Sequence, residues 1–144
     1  MLVVTFGVVC ALVARPLQAS TSHLDIFFPG DTTDYGQRGA QNIAWLAEHN
    51  RAIGRSCAEL HGHSDLTGTP ERRIIISRLR AEAVKQELLR LGFGRGCLRV
   101  IVKGSDWPLV NTAEGKPEVQ NRRVTILPLR REDFIFRGGR IAGD

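Results

Sequence analysis

The chain has 144 residues, 42% hydrophobic and 24% charged, with a net charge of +5. This is the composition of one globular domain able to bury a real core, and it holds no low-complexity tract. The positive balance suits anionic partners: nucleic acid, phospholipid head groups or an acidic polymer.

The run from Leu2 to Ala14 is apolar and uncharged. A membrane-spanning helix needs about 20 such residues, so the run is too short to span. It fits the central region of a secretory signal peptide, with Ala19 as the cleavage residue and 1–19 as the leader. The competing reading is a buried N-terminal strand. No small residue precedes Cys10, as a lipoprotein signal requires; Val9 stands there.

Residues 20–23 read as a short linker. Leu24, Ile26 and Phe28 alternate along a first strand, which Pro29 and Gly30 end. Ala40, Ile43, Ala44 and Ala47 fall at helical spacing, predicting a helix over 36–51 that Gly54 closes. A second strand runs from Cys57 to His63. Thr69 as N-cap and Pro70 at the first helical position start a second helix. Ile76, Leu79, Ala83 and Leu91 mark its expected buried face, and Gly92 supplies the stop. Leu98, Val100 and Val102 alternate in a third strand, residues 104–120 form a polar loop, and Arg123 to Leu127 gives a fourth strand. Residues 129–144 read as a weakly ordered tail. The order βαβαββ predicts an α/β two-layer sandwich, with two helices on one face of a four-stranded mixed sheet.

The stretch His61–Val84 concentrates the chemistry. Asp65 ends the second strand. Arg80 lies one helical turn from both Ile76 and Val84, on a face that should be buried. A charge is rarely buried without a partner. The two residues imply a site for a ligand carrying both an amine and a carboxylate, such as an amino acid. The plainer reading is that they pair with each other. His61 and His63 alternate with Asp65, a spacing that could seed the metal site of a metal-dependent enzyme. Two histidines without a firm third ligand are more often ordinary. GFGRG at 92–96 lacks the following Lys-Ser/Thr of a phosphate-binding loop. No Ser-His-Asp or Cys-His arrangement has motif support, so no catalytic machinery, metal or cofactor is expected.

Without residues 1–19, two cysteines remain, Cys57 and Cys97, with no zinc-type spacing. Each sits just before a predicted strand. If those strands are parallel neighbours, the cysteines share one sheet end, about 4.8 Å apart. A disulfide accepts such a Cα separation, about 4.4–6.8 Å, and an exported chain permits one.

Three ordered motifs carry a resemblance. Gly62-His63-Ser64-Asp65 ends the strand, Ile76-Ser77-Arg78-Leu79-Arg80-Ala81 follows on the helix, and Asn121-Arg122-Arg123-Val124 enters the last strand. Gly104-Ser105-Asp106-Trp107-Pro108 stands between the last two. Residues 24–128 resemble the OmpA-like C-terminal domain family, which includes peptidoglycan-associated lipoprotein and the MotB periplasmic domain. The resemblance implies a domain over 20–128 that binds peptidoglycan non-covalently in the periplasm, at the cell wall or outer membrane. It also implies no enzymatic activity; export and the lack of an interleaved aromatic pattern argue against nucleic acid, and the chain could act alone or bind an envelope membrane protein through its tail. Carried over by position, Asp65 would hold the ammonium of meso-diaminopimelate and Arg80 its carboxylate, with Arg122, Thr67, Arg73 and Asp31 contributing to the site. The chemistry suits them, since a carboxylate accepts from an ammonium and a guanidinium fork grips a carboxylate. Asn121 would order the strand entry. Departures are Ser64 for the usual threonine, Pro29 where an aspartate is often seen, and Arg73 for the usual asparagine. A second cation at 73 would either help bind carboxylates or repel the ammonium.

Overall fold

The computed structural model describes residues 23–141. The signal-peptide reading of 1–19 lies outside them. Strand β1 spans Leu24–Phe27, helix α1 Gly36–Ala52, β2 Cys57–His63, α2 Pro70–Arg90, β3 Leu98–Gly104 and β4 Arg123–Leu129. A short helix, α3, follows at Arg131–Phe136. The sheet order is β1-β4-β2-β3, with β2 and β3 parallel and β4 antiparallel to both β1 and β2. The α/β two-layer sandwich expected from the element order is therefore the observed architecture. None of the described helices is long and apolar enough to cross a membrane.

Strand alternation divides the sheet's residues between two faces. Ile26, Ala58, Leu60, Leu98, Val124 and Ile126 turn toward the helices and pack with Ile43, Leu46, Val84 and Leu88. Gly62 lies where α2 comes closest to β2. A Cβ there would collide with the Ser77 carbonyl, so only glycine lets the helix settle on the strand. That contact sets Arg80, one turn beyond Ser77, beside the end of β2.

Helix α2 begins as its sequence dictates. The Thr69 hydroxyl accepts from the Arg72 amide at 3.2 Å, and Pro70 occupies the first turn. Gly92, at φ +96°, provides the left-handed residue that ends it. Its buried face differs from the expected one. Arg73, Ile76, Ser77, Arg80, Ala81, Val84 and Leu88 are buried, whereas Leu79 is half exposed. Loops cover the N-terminal half of α2, so polar side chains occupy its inner stripe.

The C-terminal segment also departs from expectation. Residues 131–136 form α3 rather than a weakly ordered tail, and Phe134 is buried against Cys57, Cys97 and Leu129. This apolar landing area exists only once β2, β3 and β4 have paired. Cys57 and Cys97 are joined as a disulfide, with Cα atoms 4.3 Å apart. They sit immediately before the register pair Ala58–Leu98 of two parallel strands, as their positions predicted.

Candidate functional site

The ends of β1, β2 and β3 and the start of β4 meet at one edge of the sheet. Three loops converge there with the first turns of α2. Ser64 N–H donates to the Gly104 carbonyl at 2.8 Å, and Gly115 N–H to the Leu66 carbonyl at 2.9 Å. Asn121, fully buried, accepts from the amides of Leu109 and Val110 and donates to the Val110 carbonyl. It thereby orders the long loop at the strand entry, the role its place in the motif implied.

Asp65 lies at the centre of this edge, 4% exposed. Its Oδ1 accepts from the Thr67 hydroxyl at 2.6 Å and the Thr67 amide at 3.2 Å. Its Oδ2 accepts from Arg122 Nε at 2.6 Å and the Glu118 amide at 3.1 Å. Burial alone would raise the pKa of this carboxyl. The donors at Thr67, Glu118 and Arg122 outweigh burial and hold it below the ordinary value. Asp65 is thus a buried, ionised, oriented acceptor.

Arg80 does not pair with Asp65; the plain ion pair that the sequence permitted is instead Asp65–Arg122. The Arg80 guanidinium, 1% exposed, donates to three backbone carbonyls: Thr32 at 3.0 Å, Gly30 at 2.9 Å and His63 at 3.3 Å. It also lies 5.3 Å over the Phe28 ring. Burial pushes its pKa down to about 10, against the attraction of Asp31 and Asp65. A buried cation whose hydrogen bonds run to carbonyls has no counter-ion bonded to it, although carboxylates stand nearby.

The other expected site residues divide. Arg122 also donates to the Pro29 carbonyl at 3.1 Å, tying Asp65 to the first loop. Asp31 pairs with Arg72 at 2.5 Å on the surface, where such a pair contributes little. Arg73 is buried and spends its donors on Leu66 and Thr67 carbonyls and on the Glu114 carboxylate. Glu114 offsets its charge, so Arg73 staples two loops together. Nothing in the sequence marked Glu114, Glu118 or the Thr32 carbonyl. Their partners lie 41, 53 and 48 residues away, and only the assembled loops join them.

The metal reading of His61, His63 and Asp65 finds no support in geometry. The two histidines line the sheet face away from the helices, and Asp65 is bonded within the loop edge. His61 is 3.2 Å from Glu59, and no cluster of three or more metal-ligating side chains occurs among the described residues. Burial, with the nearby cations Arg123, His61 and Lys103, pushes the pKa of His63 down to about 3. The unfolded chain protonates this group near its ordinary value of 6.5. Between those values the unfolded state binds more protons, so stability falls as pH drops. His61, lowered chiefly by burial, acts in the same direction. His63→Leu is therefore expected to reduce the loss of stability between about pH 6.5 and 4.5, read from urea midpoints. An unchanged slope would show that His63 is not the group responsible.

Comparison with known proteins gives this architecture its class: the chain has the OmpA-like fold. The peptidoglycan-associated lipoprotein of Burkholderia pseudomallei superposes with a TM-score of 0.65 at 22% identity, covering 73% of this chain and 89% of that one. The OmpA-like domain of FopA1 from Francisella tularensis gives 0.65 at 20% identity, covering 75% and 73%. The C-terminal domain of Helicobacter pylori MotB gives 0.64 at 17% identity, covering 78% and 89%. A Gluconacetobacter diazotrophicus protein described as an outer membrane protein is 30% identical over 108 residues, covering 71% of this chain. The matched region spans 29% of that relative's length. No family model matches the chain.

Proposed function

We propose that this chain is a member of the OmpA-like family and binds peptidoglycan non-covalently in the periplasm, through the meso-diaminopimelate of the stem peptide. The observation that carries the reading is Arg80, a fully buried guanidinium hydrogen-bonded to carbonyls alone. A ligand carboxylate would supply the counter-charge through charge-assisted bonds. Asp65, held ionised beside it, would accept the ammonium of the same ligand. Arg122 is the donor on Asp65 that an ammonium would displace, since the Thr67 and Glu118 amides are fixed backbone. Thr67 orients the Asp65 carboxylate, Arg73 with Glu114 holds the loops around it, and Asp31, paired with Arg72, stands at the rim. The similarity to a protein named as a peptidoglycan-associated lipoprotein supports peptidoglycan as the partner.

Co-sedimentation with purified sacculi tests the specificity. Wall with meso-diaminopimelate is expected to bind at least tenfold more tightly than lysine-type wall. Lysine lacks the distal carboxylate, and a charge-assisted bond of about 1.5–3 kcal/mol is lost with it. Equal affinity for the two wall types would contradict the assignment of Arg80.

A further inference from the structure

The sheet face away from α1 and α2 carries a second feature, a hollow of about 350 Å³. Its walls combine Trp107, Leu109 and Leu127 with His63, Lys103 and Arg123. Arg123 and His63 are 6% and 5% exposed. Arg123 Nη2 donates to the Trp107 carbonyl at 3.2 Å, but its Nε and Nη1 are buried without a hydrogen-bond partner. So is His63 Nδ1. The nearest carboxylate oxygen to Arg123 Nε, Asp25 Oδ1, is 3.8 Å away and already accepts from the Thr125 hydroxyl at 2.5 Å. Lys103 lies 5.5 Å over the Trp107 ring at the rim.

Buried donors left without acceptors cost free energy, and native structures carry few of them. Here they belong to two residues of neighbouring strands, Arg123 and His63, that line one apolar-walled hollow in which Arg123 and Lys103 meet a single carboxylate, Asp25. We propose that this hollow is a second binding site, for a small amphipathic carboxylate. Arg123 takes the carboxylate on Nε and Nη1, and His63 donates from Nδ1 as the neutral imidazole. Lys103 adds charge at the mouth, and the ligand's apolar body lies along Leu109, Leu127 and Trp107. The two sites share no side chain: Arg80 uses only the backbone carbonyl of His63, whose imidazole turns to the opposite face. Arg122 and Arg123 are neighbours in the chain, yet they serve opposite sides of the strand entry.

Hexanoate is the probe, titrated into the ¹⁵N-labelled full-length chain, with 1-hexanol as the uncharged control. Saturable shifts of the Trp107 indole N–H and the Arg123 Nε–H are expected, with a Kd of about 1–10 mM for so small a ligand. Hexanol should bind about tenfold more weakly or worse, because it offers the guanidinium no charge. Arg123→Gln should weaken hexanoate by a similar factor. Leu127→Trp, which fills the hollow and leaves Arg123 in place, should abolish the shifts while sacculus binding is unchanged. Equal binding of hexanol and hexanoate, or no saturable shift at Trp107 and Arg123 with 50 mM hexanoate, about five times that Kd or more, would overturn the proposal.

Discussion

Asp65→Ala and Arg80→Ala are each expected to lower sacculus binding about ten- to hundred-fold, the loss of one charge-assisted interaction. The two substitutions differ in their structural cost. Arg80 holds the carbonyls of Gly30, Thr32 and His63 together, so its truncation leaves buried acceptors unpaired and an empty volume beside Phe28. A drop of several degrees in Tm is expected for Arg80→Ala. Asp65→Asn preserves shape and removes the charge, at some cost in stability because its amide NH2 must face either the Thr67 or the Arg122 and Glu118 donors. It should bind sacculi as poorly as Asp65→Ala while its circular dichroism stays that of the parent. Co-sedimentation of both Asp65 variants at the parental level would place the ligand elsewhere.

Removal of the disulfide is expected to produce the largest loss of stability. Cys57 and Cys97 close a loop with a sequence separation of 40. By chain entropy such a cross-link contributes about 4 kcal/mol. In a domain of this size that corresponds to a Tm lower by about 10–15 °C in the Cys57→Ala, Cys97→Ala double variant. The bridge also forms part of the floor on which Phe134 packs, so α3 should exchange its amides faster once the bridge is gone. Two alkylatable thiols in protein produced in an oxidising compartment and kept without reductant, or an unchanged Tm in the double variant, would remove the bridge from the account.

Helix α2 shows how local signals and assembled contacts share the work. Thr69, Pro70 and Gly92 act within one or two turns of themselves, and each ends or starts the helix where its chemistry requires. The apolar pattern of the same helix favours Leu79 for the inward face, where the structure places Ser77, Arg73 and Arg80, the last as its position between Ile76 and Val84 implies. Arg73 and Arg80 are buried under loops that arrive from remote parts of the chain, and Ser77 is buried against β2 at Gly62. A periodicity argument weighs only side-chain hydrophobicity, and cannot see a loop that brings carbonyls to a guanidinium.

The strand alternation, the helix caps, the glycine at 62, the cysteine pair and the motif residues Asp65, Arg80 and Arg122 are properties of short segments. The amino-acid sequence by itself therefore determined the sandwich and the bridge, and it nominated the residues of the candidate site. The partners of those residues were decided by the tertiary structure. Asp65 faces Arg122 rather than Arg80, Arg73 is claimed by Glu114, and Arg123 is left with two buried donors unpaired. Helix α3 belongs with these, since its apolar seat is built from three strands and the disulfide. Each such pairing joins atoms far apart in the chain. It depends on distances between loops of only a few ångströms, which arise after the sheet has closed and the helices have packed.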